Sequence, residues 1–407
     1  MNPIQRRQFL TTGAALFGAA LAPTSIVFGA RASRGVDPTL VVIQLSGGND
    51  GLSTVVPYAD RVYKKARRQT RIAEDDVLKI DERLGLHPSL QRLHNLHASG
   101  KLAIVEGVGY PDGIRSHFKS LEVWHTARVR GRVTGPGWLG RLAEGGLKVE
   151  SPDPELVVHL GQSAPYSVHS SEHPAVALAS PTSYRWFGDT PGVEIVCEHQ
   201  PTAEPNPATS GRDDALAKMR GVMHDAQASS LEIRAAAARY KPKAEYPRTP
   251  FGAQLQDVAS LIHGDLGTRV ISTSLGGFDT HSNQKGRHDN LMGTLDPALG
   301  AFLQDLNGTP EGRSAIVVVF SEFGRRVQEN GSRGTDHGMA GPMFVLGHQV
   351  KGGLYGKAPS MTELDNGDLK FTTDFRSVYA TVLDEGLGVD AKAVLGERYA
   401  SLGFLGA

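Results

Sequence analysis

The chain has 407 residues, 40% hydrophobic and 21% charged, enough apolar matter for a sizeable core and too much for a disordered chain. Lys plus Arg equals Asp plus Glu at 43 each, which argues against nucleic acid as a partner, since that binding rests on a basic face neutralising phosphates. The single cysteine, Cys197, excludes an intramolecular disulfide and any cysteine-based metal cluster, while fifteen histidines favour metal or acid–base chemistry.

The chain opens with Arg6 and Arg7, then Phe9 and Leu10, then a weakly hydrophobic Ala/Gly-rich stretch, and Ala30-Arg31-Ala32 offers an A-x-A cleavage site. That is the order of a bacterial export signal, and Arg-Arg-x-Phe-Leu is the pattern of the twin-arginine route. Residues 1–32 are therefore read as a signal peptide, with the twin-arginine translocase as a transient partner and the mature protein periplasmic or otherwise exported. Thr11, Thr12, Pro23 and Thr24 break the apolar stretch, so a stable membrane span is not expected there. No other segment approaches transmembrane length, and the mature protein is expected to be soluble.

Beyond residue 32, apolar runs at 39–45, 101–108, 155–160, 193–198, 269–275, 315–320 and 343–347 read as strands. Most are apolar on both faces rather than alternating, the mark of a sheet covered on both sides. Between them, 89–100, 251–265 and 290–308 carry apolar residues at helical spacing, the last despite Pro297. Strands alternating with helices predict one α/β domain over 33–407, a mainly parallel, doubly wound sheet with helices on both faces. Residues 200–248, a polar loop followed by an Ala-rich helix, read as a peripheral insertion.

In such sheets ligands bind beyond the carboxyl ends of the strands. After the first strand, "SGGNDG" presents Asp50 at a sharp turn, though an ordinary Gly/Asn/Asp turn reads the same way. After the second, "IRSHF" puts Ser116 where a loop meets a helix, with Arg115 and His117 beside it. Ser116 is then either a plain N-cap or a nucleophile facing the helix N-terminus, and Arg115 either an anion clamp or a structural ion pair. "GGFDTH" brings Asp279 and His281 together, with His288 further on as a spare ligand. The run "AIVVVF" stops at Ser321-Glu322, and a polar loop later delivers Asp336 and His337 in "GTDHG". Carboxylates and imidazoles in this pattern suit divalent metals that activate a hydroxyl and clamp the oxygens of a transferring phosphoryl or sulfuryl group. The remaining histidines, among them His87 and His159, read as surface or satisfied core groups.

These motifs, "GGNDGLSTVVP", "RSHF", "GFDTH", "SEFGR" and "TDHG", stand in order from Gly47 to Gly338. They resemble a bacterial twin-arginine-exported family catalogued as domain of unknown function 1501, itself similar in layout to the alkaline phosphatase and sulfatase superfamily. The resemblance implies an alkaline-phosphatase-like fold and a metal-dependent hydrolase of phosphate or sulfate esters. It implies Ser116 as nucleophile with Arg115 as clamp, and Asp50, Asp279, His281, Glu322, Asp336 and His337 as metal ligands. One or two ions are implied, Zn, Mn, Mg or Ca, with a small-molecule or polysaccharide ester as substrate. The late strand departs from the superfamily's Asp-His ending, because Phe323 follows Glu322 and cannot bind metal. That departure motivates the alternative of a non-catalytic binding or assembly protein. A cofactor oxidoreductase lacks support, for no G-x-G-x-x-G follows the first strand and no haem or iron–sulfur cysteine pattern exists.

Overall fold

The computed structural model describes residues 36–131, 134–147, 153–185 and 226–406. The expected signal peptide, the strand expected at 193–198 with Cys197, and the insertion as far as residue 225 lie outside the described residues.

Six strands come before residue 161: β1 (Leu40–Ser46), β2 (Val55–Val56), β3 (Leu78–Lys79), β4 (Gly85–Leu86), β5 (Leu102–Gly109) and β6 (Val157–Leu160). Then follow β7 (Val176–Leu178), β8 (Val270–Gly276), β9 (Ile316–Phe320), β10 (Gly341–Gly347), β11 (Gly353–Gly356) and β12 (Thr373–Asp374). The main sheet runs β11-β5-β10-β9-β1-β8-β6-β7, with β12 also pairing β5, while β2, β4 and β3 form a small separate sheet. Every pairing in the main sheet is parallel except those of β10, which is antiparallel to both β5 and β9.

The reason the central strands are apolar throughout lies in how their residues are shared between two cores. Val42, Val318 and Val345 face one cluster with Trp124, Trp138, Phe375 and Tyr379. Val41, Ile43, Val317 and Val319 face the other, with Leu255, Val258, Met292 and Phe302. The helices Pro250–Ile262 and Gln284–Leu306 cover the second face, and His117–Thr126 and Phe375–Thr381 contribute to the first. An α/β fold with a mainly parallel sheet and helices on both faces is what the sequence implied. Pro297 sits inside the long helix, which begins at Gln284, earlier than the apolar spacing suggested. Among the described residues no helix is long and apolar enough to cross a membrane.

Register sets the functional edge. Ser46 lies opposite Gly276, Gln44 opposite Phe320, and Gly341 opposite Val108. The loops after β1, β5 and β8 and both ends of the loop joining β9 to β10 therefore emerge at one edge of the sheet.

Three buried histidines lie away from that edge's solvent side. His125, His159 and His288 are each pushed down to about 4 by burial, so they stay neutral in the folded chain. Since the unfolded imidazoles protonate near 6.5, their contribution is fully present above that pH and is lost between about 6.5 and 4. Each extra proton bound on unfolding adds about 1.4 kcal/mol per pH unit, so the three together give a slope of about 4 kcal/mol per unit near pH 5. The raised carboxyls of Glu155, at about 8, and Asp257, at about 6, act in the opposite direction over this window, so the test is a proton NMR titration of the folded protein: these three ring signals should stay fixed between pH 7 and 5, and a ring that titrates near 6.5 is not buried neutral.

Candidate metal centre

Close backbone approach brings the loops together. Gly47 adopts φ +119°, and a Cβ there would lie 2.5 Å from the Asp279 amide. Gly334 packs against the His281 carbonyl, where a Cβ would collide with the backbone. Arg325, 1% exposed, clasps the same loops: Nε donates to Gly48 O (2.7 Å), Nη1 to Thr335 O (2.9 Å), and Nη2 to Gly47 O, Phe278 O (3.0 Å) and Asp279 Oδ1 (2.7 Å). Burial raises the Asp279 carboxyl, but the Arg325 guanidinium beside it outweighs burial and holds it at about 2.

Around Asp279 stand three imidazoles, each anchored through Nδ1. His117 Nδ1 meets Glu322 Oε1 at 2.8 Å, His337 Nδ1 meets the Arg115 carbonyl at 2.8 Å, and His281 Nδ1 meets Asp336 Oδ1 at 3.3 Å. A carboxylate or carbonyl only accepts, so each ring carries a proton on Nδ1, and the neutral form presents its Nε2 lone pair. The Nε2 atoms of His281 and His337 are 3.0 Å apart, each 3.1 Å from Asp279 Oδ1, and His117 Nε2 is 3.7 Å from Asp279 Oδ2. Lone pairs at that spacing repel unless a cation lies among them. An ion about 2 Å from each of four tetrahedral ligands holds neighbouring ligands about 3.3 Å apart, close to the observed spacing. His117, Asp279 and His337 each offer an atom within 4.8 Å of the others, and His281 is the fourth neighbour.

The expected site residues thus separate into layers. Asp279, His281 and His337 come together as foreseen. His117 joins them, although the sequence reading noted it only as a neighbour of Ser116; its signal was the position directly after the N-cap, on the first turn of a helix entering this edge. Glu322 and Asp336 stand behind imidazoles rather than pointing into the cluster. Glu322 is 1% exposed and also accepts from the Gly47 amide at 2.9 Å. Asp336 is held below the usual carboxylate range by the Asn330 amide, helped by His281 and opposed by slight desolvation. Carboxylates in this position orient a ring and raise its basicity. Glu322→Gln should therefore weaken metal binding by roughly 10–100-fold without unfolding the chain, as read by competition with a chelator; unchanged affinity would remove Glu322 from the site.

Two expected site residues are engaged elsewhere. Asp50 is fully buried, its oxygens held by Arg67 Nη1 (2.6 Å) and Nη2 (3.0 Å), by Ser53 Oγ (2.7 Å) and by the Gln284 amide. Burial raises its pKa, but Arg67 outweighs burial and keeps the carboxyl well below the usual range. A guanidinium therefore occupies the place where a metal was expected. Arg115 pairs with buried Asp368, Nε to Oδ2 at 2.7 Å, rather than extending towards Ser116. Ser116 itself is the N-cap residue of His117–Thr126 and makes no side-chain capping bond. The spare candidate His288 is buried against Asn49 Oδ1 (3.1 Å) and Thr54 Oγ1 (3.4 Å), away from the cluster. Phe323 packs its ring under His117 and His337, with centroids 4.9 and 4.7 Å apart, and so forms an apolar floor.

The sequence profile described as "Protein of unknown function (DUF1501)" matches residues 37–398. The chain belongs to this family. Among curated proteins none matches it by sequence. Similar solved structures include a 2-O GAG sulfatase, at 10% identity and TM-score 0.34, covering 78% of this chain and 65% of that one. A protein in the alkaline phosphatase superfamily from Vibrio parahaemolyticus matches at 12% identity and TM-score 0.41, over 90% of this chain and 71% of that one. The C-terminal periplasmic domain of EcEptC from Escherichia coli matches at 11% identity and TM-score 0.39, over 89% and 86%. The chain thus spans just under two thirds of the sulfatase's length.

Proposed function

We propose that this DUF1501 protein is an exported, metal-dependent hydrolase of phosphate or sulfate esters. The observation that carries the reading is the outward anchoring of His117, His281 and His337, which leaves three Nε2 lone pairs turned on Asp279. Three imidazoles and one carboxylate suit Zn or Mn better than Mg or Ca, which prefer all-oxygen shells. When bound, such an ion supplies Lewis-acid polarisation of an ester oxygen.

The chain's own groups have distinct tasks in this reading. Arg325 keeps Asp279 ionised, and Glu322, Asp336 and the Arg115 carbonyl fix the tautomers of the three rings. Ser116, between Arg115 and the ligand His117, is the nucleophile, and the first amides of His117–Thr126 face the substrate's anionic oxygens. The substrate is a small-molecule or polysaccharide ester. Export through the twin-arginine translocase rests on Arg6-Arg7-x-Phe9-Leu10 and the A-x-A at 30–32.

The test combines elemental analysis of the mature protein with hydrolysis of phosphate and sulfate mono- and diesters. Wild type should carry a transition metal and turn over at least one ester class, and Ser116→Ala should lose most of that rate, at least about 100-fold. Ion-dependent turnover that survives in Ser116→Ala would remove Ser116 as nucleophile. A protein free of metal and inert on the whole panel would sink the reading. One observation favours the non-catalytic alternative: Asp368 takes up Arg115, the expected clamp. Under that alternative Ser116→Ala restores a deletion strain as well as wild type does.

A further inference from the structure

We propose that the centre holds one divalent cation, and that buried Arg67 and Arg325 supply the positive charge a second ion would bring; this rests on the metal-dependent reading above. The loops after β1 and β8 deliver Asp50 and Asp279 to one edge, and each carboxylate already has a guanidinium. Arg67 grips Asp50 as a fork, at 2.6 and 3.0 Å, with both side chains 0% exposed. A metal about 2 Å from a carboxylate oxygen cannot enter between partners at that separation. Ser53 and Gln284 also donate to Asp50 Oδ2, so the lone pairs a metal needs face N–H and O–H groups.

Counting the remaining donors leads to the same number. His117, His337 and Asp279 supply three ligand atoms to one shell and leave its fourth position open for an ester oxygen. What remains beside them is His281, Asp336 and Glu322. Asp336 Oδ1 faces Asn330 and His281, and Glu322 Oε1 faces Gly47 and His117. His281 Nε2 is 3.0 Å from His337 Nε2 and 3.1 Å from Asp279 Oδ1, too near the first shell to anchor a separate ion.

Asp50 then acts as a positioning residue. Gln284 donates to it and accepts from Thr280 Oγ1 (3.1 Å) and Thr335 Oγ1 (2.5 Å), the neighbours of His281 and Asp336. The buried pair thereby steadies both ligand-bearing loops from behind.

The measurement is native mass spectrometry of metal-stripped mature protein titrated with Zn alone, checked by elemental analysis after dialysis. One ion per chain is the expected result. Two tightly held ions would overturn the inference while leaving the metal-dependent reading standing, and none would overturn both. Asp50→Asn, shown to be folded by circular dichroism, should still bind one ion, and Gln284→Ala, which removes the same loop support, should weaken binding to a similar degree; a folded Asp50→Asn that binds none while Gln284→Ala binds as wild type does would make Asp50 a ligand and defeat the proposal. If that variant does not fold, the wild-type stoichiometry decides alone.

Discussion

Asp279→Ala is expected to abolish tight divalent-metal binding and, with it, ester hydrolysis, by at least about 100-fold in each. No other residue touches so many parts of the centre. Its Oδ1 lies 3.1 Å from Nε2 of both His281 and His337, and 2.7 Å from Arg325 Nη2. Without the carboxylate, three imidazoles would surround a site beside an uncompensated guanidinium, so both a ligand and the negative charge that draws the ion are lost. Asp336→Ala makes the graded comparison. Asp336 is 53% exposed and acts through His281, so its removal should cost only about 10–100-fold in affinity. Equal effects for the two variants would contradict the layering. Chelator competition followed by turnover on the same preparations reads both quantities.

Arg67→Met should remove about 3–5 kcal/mol of folding stability, because it strands the Asp50 carboxylate in the interior. The pH dependence identifies the cause. In wild type the depressed Asp50 pKa contributes stability that is present above the unfolded value near 3.9 and is lost as pH falls through the folded value. In Arg67→Met, desolvation is opposed only by the hydrogen bonds from Ser53 and Gln284, so the folded pKa rises above the unfolded one and the native state gains stability on acidification. The gap between variant and wild type should therefore be widest at pH 7 and above and narrow towards pH 4. Urea titrations at several pH values measure it. A gap that does not vary with pH would point to lost packing around Arg67 instead.

The central sheet was legible because β1, β5 and β9 are largely apolar on both faces, and burial on both sides of a parallel sheet demands that pattern. Strands of two or three residues, such as Val55–Val56, Val176–Leu178 and Thr373–Asp374, are too short to show a period and were not foreseen. Within the centre, Asp279, His281 and His337 were legible because each follows a strand or a Gly-containing turn. His117 is harder to read from "RSHF", because a serine at the start of a helix offers a hydroxyl that competes with the neighbouring imidazole for the functional role. Asp50 misled for a physical reason. A Gly/Asn/Asp turn looks the same whether its carboxylate meets a metal or an arginine. Its partner lies in "KKARRQT", a basic run that reads as solvated surface although Arg67 is 0% exposed.

The reversed direction of β10 places much of the centre on one excursion of the chain. Because β10 returns beside β9, residues 321–340 leave and re-enter the sheet at the same edge, as the loop of a hairpin. A parallel strand there would have needed a crossover of a dozen or more residues to the far end of the sheet. Glu322, Arg325, Asp336 and His337 instead travel as one cassette. Strand order does not depend on its length, although Val327 and Ala340 tie it to a buried apolar cluster, so a change anywhere in this excursion reaches all four groups together.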